Sequence, residues 1–322
     1  RGLGDVYKRQ LSVLLIQDDR EPSKWREVLD RINSARGNGH DITAQIAARP
    51  VTLLLGLQRS MHPFITCHTY RRELADLDLD ERLERMGDPE MRATLISEHA
   101  DRTRGMSGMI AQSFHKMFPL GDPPDYEPRP EDSILERARQ AGMEPVELAY
   151  DMLLSRNGRE LMLFPLANFS EGNHDALREM NLAAGTLPGL SDGGAHCGVI
   201  CDASFPTYML THWARDRERG ERLPLEYLVQ RQCRDTARQV GLEDRGTLER
   251  GMIADINVID FEGLTLRAPE MVYDLPAGGR RLVQRAEGYA ATIKSGEVIF
   301  RDGVATGVRP GQLIRGPRSA SV

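Results

Sequence analysis

The hydrophobic pattern at the start of the chain predicts a strand, a helix and a second strand. The apolar run Leu11–Ile16 is short enough to be a buried strand, and Lys24–Ala35 has the period of an amphipathic helix. Ser23 precedes this helix as an N-cap, and Gly37 lies just past its end. Asp41–Ala47 then alternates like a strand. Because this order is the unit of a parallel sheet, the pattern predicts an α/β fold.

The middle of the chain is polar and predicts a helical insertion over about residues 57–158. Periodic charged segments predict helices there, with a proline-rich loop between them: Arg71–Arg85, Pro89–Asp101, the loop Gly121–Pro130, Glu131–Ala141 and Pro145–Ser155. After the insertion, Glu160–Leu166 predicts a buried strand, His174–Ala184 a helix and Thr186–Leu190 a short strand.

The pattern changes near residue 246, after two further predicted helices at Ser204–Arg219 and Pro224–Val240. The segments beyond it read as short alternating strands joined by turns: Asp255–Ile259, Ala290–Lys294 and Val298–Arg301, with a tight turn at Ser295–Glu297. We therefore predict an α/β domain over residues 11–245, a small β domain over residues 246–308 and a tail over residues 309–322.

Composition narrows the classes of protein to consider. The 322 residues include 42 Lys and Arg and 48 Asp and Glu, a net charge of −6, and no basic stripe argues for nucleic acid. No apolar run approaches the roughly 18 residues that a membrane span needs. The 4 cysteines are too few for a disulfide framework in a chain of this length, so a reducing, cytoplasmic compartment is the simpler expectation.

Candidate chemistry is concentrated in Ser191–His196, which places an acid, two glycines and a histidine directly after a predicted strand. Glycine lets the backbone bend and lets a ligand approach closely. Asp192 at such a turn can project into a pocket, where it can bind a metal or accept a proton. Asp-Gly-Gly is also an ordinary turn sequence, so these six residues alone leave both interpretations open.

Three later segments carry a family resemblance. Gly246–Asp260 has the pattern G-x-L-x-x-G-x-x-A-D-x-x-V-x-D and resembles the segment that follows the barrel in the amidohydrolase superfamily. Asp274–Leu282 and Gly303–Gly307 resemble the D-aminoacylase branch, the N-acyl-D-amino-acid deacylases and their relatives. The resemblance covers most of residues 11–317 and is strongest over residues 186–311.

The resemblance implies the C-terminal part of a (β/α)8 metal-dependent hydrolase barrel, followed by strands of a small β-sandwich. Residues 11–245 offer four strand candidates, whereas such a barrel needs eight strands and roughly 250 residues. We therefore expect the earlier strands to lie upstream of Leu11 in a longer protein. Residues 1–10 lack an initiator Met and read as a non-native leader.

By the same resemblance, Asp192 would ligate a catalytic zinc and act as general base, in a parent protein that holds one or two zinc ions. His196 would contact the substrate carboxylate or the metal site, and Arg280 would clamp that carboxylate with two hydrogen bonds. The substrate would be a small N-acylated amino acid, and an oligomer is compatible with this reading. The His-x-His of the family's first strand does not occur here, and Gln45 stands where a metal histidine is expected, with His40 just before that strand.

Three alternatives follow from these residues. A catalytically inactive scaffold is favoured by the absence of His-x-His, since fold alone does not confer activity. Gly189–Gly193 matches the G-x-S-x-G nucleophile elbow, which would make Ser191 the nucleophile of a serine hydrolase. His196, Cys197 and Cys201 could contribute to a structural zinc site, although such a site needs a fourth ligand.

Overall fold

The fold was analysed in a computed structural model that describes residues 10–100, 105–191, 194 and 196–319. Nearly all of the predicted leader lies outside these ranges. The strands of the first half are β1 Leu11–Leu14, β2 Ile42–Ile46, β3 Val51–Leu55, β4 Phe118–Pro119, β5 Met162–Ala167 and β6 Thr186–Pro188. Those of the second half are β7 Ile256–Ile259, β8 Thr265–Leu266, β9 Glu270–Leu275, β10 Gly279–Val283, β11 Ala286–Glu287, β12 Tyr289–Lys294, β13 Glu297–Arg301 and β14 Val304–Ala305.

The helices occupy the segments between β1 and β7. The α-helices are α1 Lys24–Gly37, α2 Leu79–Met86, α3 Pro89–Ala100, α4 Gly105–Gln112, α5 Ile134–Ala141, α6 Pro145–Gly158, α7 Asp175–Leu182, α8 Phe205–Tyr208, α9 Leu225–Gln230 and α10 Thr236–Gln239. π-Helical turns lie at Tyr70–Leu74, Met209–Asp216 and Arg231–Asp235. No helix within the described ranges is long and apolar enough to cross a membrane.

A parallel sheet of strand order β1-β2-β6 forms the α/β part of the chain. Leu11 is opposite Ile42, and Ala44 is opposite Thr186, so the predicted strand–helix–strand opening is confirmed. Helix α1 packs Trp25, with 2% of its surface exposed, into a core shared with the central strand. The α/β class is therefore confirmed, and the sheet aligns the carboxyl ends of three strands along one edge.

The predicted strand Glu160–Leu166 forms as β5 but lies in a different sheet from the one expected. It pairs antiparallel with β3, and β4 pairs with its other edge. Strand β3 was not predicted, although five consecutive apolar or β-branched residues follow Pro50. All four predicted strands of residues 11–245 therefore form, but only three of them share the parallel sheet, because burial of a strand does not reveal whether its partner runs parallel or antiparallel.

The insertion has its own core. Helices α2 to α6 enclose buried side chains that include Phe64, Leu95 and Tyr150. The predicted helix Arg71–Arg85 is divided by a turn, because the Asp78 side chain accepts a hydrogen bond from the Glu81 amide at 2.9 Å and starts a new helix.

The segment after residue 246 forms the predicted β region. A sheet of order β14-β13-β12-β7 holds the three predicted strands, and β9 and β10 form a separate antiparallel pair. The turn between β12 and β13 places Ser295 at φ 54° and Gly296 at φ 85°, as a two-residue hairpin turn requires. The long predicted helix Ser204–Arg219 is divided in the structure. Ser204 ends a 3-10 turn, α8 follows at Phe205–Tyr208, and Met209–Asp216 is π-helical.

Candidate functional site

The carboxyl ends of the parallel strands bring three chain segments to one edge of the sheet. Gln17 follows β1, Arg49 follows β2 and Ser191 follows β6. Asp192, the predicted catalytic acid and zinc ligand, is the residue after Ser191 and lies outside the described residues, as do Gly193 and Ala195. Its predicted roles therefore remain predictions.

The backbone on both sides of Asp192 is in an unusual conformation. Leu190 has φ 62° and His196 has φ 51°, the left-handed region that residues other than glycine rarely adopt. Such conformations cost of order 1–3 kcal/mol each and are concentrated at functional sites. Left-handed angles also occur in ordinary turns, such as the one at Ser295, so the functional interpretation of the segment between Leu190 and His196 stays a prediction.

The structure brings the two predicted substrate-binding residues, His196 and Arg280, to neighbouring segments. The Leu282 amide in β10 donates to the Cys197 carbonyl at 2.7 Å, and the Cys197 thiol lies 3.9 Å from the Arg280 carbonyl. Both His196 and Arg280 are exposed. The two side chains are therefore accessible to a small molecule at this edge, and their contact with substrate stays a prediction.

Arg49 fills the space beyond the end of β2 and is only 1% exposed as a side chain. Its guanidinium stacks 3.7 Å from the centroid of the Tyr126 ring and donates to the Cys201 carbonyl at 2.7 Å. Burial raises the pKa of the Cys201 thiol to about 11. Cys201 is thus a buried thiol, and His196, Cys197 and Cys201 do not form a three-ligand metal group among the residues that the structure describes.

A buried group of ligand-capable side chains lies beside Tyr126. Glu127, His174 and His212 each offer one atom, and these three atoms lie within 4.8 Å of one another. The Nε2 atom of His212 is 3.0 Å from Glu127 Oε2, and the Nδ1 atom of His174 is 3.7 Å from the same oxygen. We call these three residues the Glu127 cluster.

The hydrogen bonds of His174 define its tautomer. Its Nε2 atom lies 3.0 Å from the Tyr126 carbonyl, which can only accept, so Nε2 carries the proton. The Nδ1 lone pair then has no hydrogen-bond partner among the described residues, although the His174 side chain is fully buried. A histidine held by a backbone carbonyl through one nitrogen, with the other nitrogen free, is the usual arrangement of a metal ligand.

The charges of the Glu127 cluster are balanced by Arg217. Burial works to raise the pKa of Glu127, but the hydrogen bond from His212, the neighbouring His174 and the hydrogen bonds from Arg217 hold it well below its usual value. Burial lowers the pKa of His174 to about 3, so its ring is neutral at physiological pH, as a metal ligand must be. Arg217 donates to both Glu127 oxygens, at 3.1 and 3.2 Å, and to Asp175 at 2.7 Å.

The Glu127 cluster lies close to the carboxyl edge of the parallel sheet. The Trp213 indole, next to His212, donates to the Ala48 carbonyl at 2.7 Å. On the other side, the Asn168 amide donates to the Gln17 carbonyl at 3.0 Å, in the loop that leads to His174. The ends of β1 and β2 therefore contact both histidine-bearing segments.

Sequence reasoning did not identify the Glu127 cluster. Along the chain, Glu127 is 47 positions from His174 and 85 positions from His212, and the two histidines are 38 positions apart. No short sequence motif can therefore contain them. Short motifs such as His-x-His reveal only ligands that are neighbours on one element. The donor set, two histidines and a carboxylate, fits a divalent ion such as zinc, and the unpartnered His174 Nδ1 supports that fit.

Comparison with known proteins assigns the family. The chain belongs to the amidohydrolase family, whose family model matches residues 7–300. No curated protein matches the chain.

Solved structures with similar folds include a D-aminoacylase studied for its binuclear metal centre, at 16% identity and a TM-score of 0.47, covering 95% of this chain and 49% of that chain. Another is an N-acyl-D-glutamate deacylase from Bordetella bronchiseptica, complexed with zinc and a phosphonate inhibitor, at 20% identity and a TM-score of 0.48, covering 97% of this chain and 51% of that chain. The chain spans about half the length of the solved structures that it matches.

Proposed function

We propose that this protein is a metal-dependent amide hydrolase that cleaves N-acylated amino acids. The observation that carries this proposal is the amidohydrolase family match over residues 7–300. The resemblance of Asp274–Leu282 to the D-aminoacylase branch supports an N-acyl amino acid as the substrate class.

The Glu127 cluster is the group of described residues that would hold a zinc ion, through Glu127, His174 and His212. When bound, such an ion lowers the pKa of a coordinated water and polarises a carbonyl. Arg217 fixes the Glu127 carboxylate, and the Tyr126 carbonyl fixes the His174 ring, so both ligand atoms are held in position before an ion arrives.

Asp192 is proposed as a zinc ligand and as the general base, as the resemblance to the amidohydrolase superfamily implies. Its carboxylate would accept a proton from the attacking water and return it to the leaving amine. Exposed His196 and Arg280 are proposed to contact the substrate carboxylate, since a guanidinium can bind a carboxylate with two hydrogen bonds.

The test is to measure bound zinc and release of free amine from N-acetyl amino acids by the 322-residue chain and by the parent reading frame. Asp192→Asn should reduce turnover by a factor of about 100 or more, because a general base contributes about that much. Asp30→Asn, on the exposed face of α1, is the matched control and should leave turnover unchanged. Turnover that is the same in Asp192→Asn and in the unaltered protein would contradict the assignment of Asp192.

A second candidate is a scaffold without activity, favoured by the absence of a His-x-His sequence anywhere in the 322 residues. It predicts no amine release from either reading frame, even with zinc added. The serine-hydrolase alternative predicts labelling of Ser191 by a fluorophosphonate and no effect of a chelator. Among the described residues, no histidine donates to or accepts from exposed Ser191, which leaves that alternative without a visible base.

A further inference from the structure

A cavity of about 620 Å³ lies between the insertion and the β region. Its walls come from the start of the insertion, from the segments around residues 120–122 and 156–161, and from residues 267–271. Four arginines line it: Arg59, Arg156, Arg159 and Arg267. Its apolar wall includes Leu120, Leu161 and Met271.

Arg59 is the unusual member of this group, because no carboxylate of the described residues pairs with its buried guanidinium. Only 4% of its surface is exposed, and its Nε and Nη1 atoms have no hydrogen-bond partner within the part of the chain that the structure describes. Burial lowers the pKa of Arg59 to about 10, and the positive charge of Arg280 acts in the same direction, yet the guanidinium stays protonated at neutral pH. A charge taken out of water without a partner destabilises the fold.

Other buried arginines in the described residues are more fully satisfied by the protein, and Arg49 and Arg231 each leave only Nε without a hydrogen-bond partner. Arg82 donates to the carbonyls of Leu57, Leu74, Ala75 and Leu77, at 2.7 to 3.1 Å. Arg217 donates to Glu127 and Asp175. A guanidinium with two unsatisfied nitrogens beside a cavity therefore indicates a ligand that accepts hydrogen bonds and carries negative charge.

The acidic residues of the cavity have other partners. Asp122 pairs with Arg156 at 3.2 Å, and Glu270 pairs with Arg285 at 2.8 Å. Glu160 accepts a hydrogen bond from the Leu161 amide at 3.2 Å. These carboxylates leave Arg59 free to bind an anion from solution.

The turn that carries Arg59 is joined to the loop that follows Asp192. The Arg59 amide donates to the Gly56 carbonyl at 3.0 Å, and the Gly56 amide donates to the Met61 carbonyl at 3.1 Å, which closes the turn. The next residue, Ser60, donates its amide to the Gly198 carbonyl at 3.3 Å. The cavity is thus adjacent in structure to the segment that contains His196.

We propose that this cavity binds an N-acylated amino acid, with its carboxylate on the Arg59 guanidinium and its apolar groups against Leu161 and Met271. The proposal rests on the proposed function for its choice of ligand. It adds Arg59 to the residues proposed to recognise the substrate carboxylate, and the nearby positive charge of Arg280 would reinforce this recognition.

The test measures binding to the chelator-treated 322-residue chain by calorimetry, so that no metal contributes. The probes are N-acetyl-leucine in both enantiomers and N-acetyl-leucinamide, which lacks the carboxylate. We expect one enantiomer of N-acetyl-leucine to bind. N-acetyl-leucinamide should bind about tenfold to a hundredfold more weakly than that enantiomer. Arg59→Met should abolish this discrimination, and Arg59→Lys should weaken binding of the acid by at least about tenfold, because lysine lacks the planar fork.

Stability separates a ligand-binding Arg59 from a structural one. Arg59→Met removes an uncompensated buried charge and should raise the unfolding midpoint of the ligand-free chain, whereas Arg82→Met, the matched control, should lower it. Arg137→Met removes an exposed arginine of α5 that lies outside the cavity lining, and it should keep the discrimination between acid and amide.

Equal binding of N-acetyl-leucine and N-acetyl-leucinamide would overturn the proposal, and so would unchanged binding of the acid by Arg59→Met. Arg59-dependent binding of inorganic phosphate, without binding of either enantiomer of N-acetyl-leucine, would also overturn it. Release of free amine by the metal-loaded protein is measured in parallel. If the metal-loaded protein releases amine but Arg59→Met does not change ligand binding, this inference is wrong and the proposed function is unaffected.

Discussion

The Trp213 indole nitrogen lies 2.7 Å from the carbonyl oxygen of Ala48, two residues beyond the end of β2. Both residues are buried, Trp213 completely. This hydrogen bond joins the π-helical turn that carries His212 to the carboxyl edge of the parallel sheet. It also gives a donor to the Ala48 carbonyl oxygen, which lies beyond the end of β2.

Trp213→Phe should lower the free energy of unfolding by about 1–3 kcal/mol beyond the effect of reduced side-chain volume, because the Ala48 carbonyl loses its buried donor. Trp25→Phe is the matched control, since Trp25 is similarly buried and its indole nitrogen has no hydrogen-bond partner in the described ranges. Denaturant unfolding of the two variants measures the difference. Equal losses in both would show that the Trp213–Ala48 hydrogen bond contributes nothing.

Glu127→Gln should destabilise the metal-free chain by about 3–5 kcal/mol, because it leaves the buried Arg217 without its main counter-charge. Glu131→Gln, an exposed substitution in the same segment, should have almost no effect on unfolding. Both variants are compared in the presence of a chelator, so that loss of metal affinity does not enter. A Glu127→Gln chain as stable as the unaltered one would show that Asp175 alone suffices for Arg217.

Lowering the pH should destabilise the fold at pH values above the pKa range of most carboxylates. Burial lowers the pKa values of His62 and His174 to about 3, and a neighbouring arginine acts in the same direction at each. An unfolded histidine takes up its proton near pH 6.5, whereas these two do not while folded. Their contribution to stability is complete above about pH 6.5 and is lost as the pH falls toward 3.

Between about pH 6.5 and 4.5, each histidine should therefore add up to about 1.4 kcal/mol per pH unit to the slope of unfolding free energy. His62→Gln should reduce the slope by that amount, and His115→Gln, at an exposed position, should not change it. Urea unfolding at a series of pH values measures both. A slope that does not depend on His62 would mean that this ring is protonated in the fold.

Gly198→Ala should disturb the contact between the insertion and the loop after Asp192. A methyl group on Gly198 would lie 2.2 Å from the Ser60 hydroxyl oxygen, so we expect a loss of about 1–3 kcal/mol. In a Ser60→Ala background, most of that loss should disappear, because the clashing oxygen is gone. A double-mutant cycle measures the coupling. The same loss in both backgrounds would place its origin outside this contact.

The sequence predicted those parts of the fold that depend on local pattern. Leu11–Ile16 and Asp41–Ala47 follow strand patterns, and Ser295 and Gly296 adopt the left-handed angles of a tight turn. The antiparallel partnership of β3 and β5 depends on contacts across more than a hundred residues, which periodicity does not encode. For the same reason, the site could be predicted only where its residues are neighbours in the chain, as in Ser191–His196.

The residues that the sequence singled out and those that the structure brings together are different sets. Asp192, His196 and Arg280 came from motifs and from resemblance, whereas Glu127, His174 and His212 meet through a proline-rich loop, a strand-to-helix loop and a π-helical turn. Arg59 could have been noticed only as an arginine near an apolar strand. Its burial, which makes it informative, is a property of the folded chain.

The hydrogen bond from the Leu282 amide to the Cys197 carbonyl makes the loop beyond Ser191 an added partner of β10. The loop and the β9–β10 hairpin are therefore expected to move together. Any closure over a bound molecule would swing the hairpin with it, so fluorescent or spin labels placed on the distant tip of that hairpin, around Pro276, could report on events at the sheet edge.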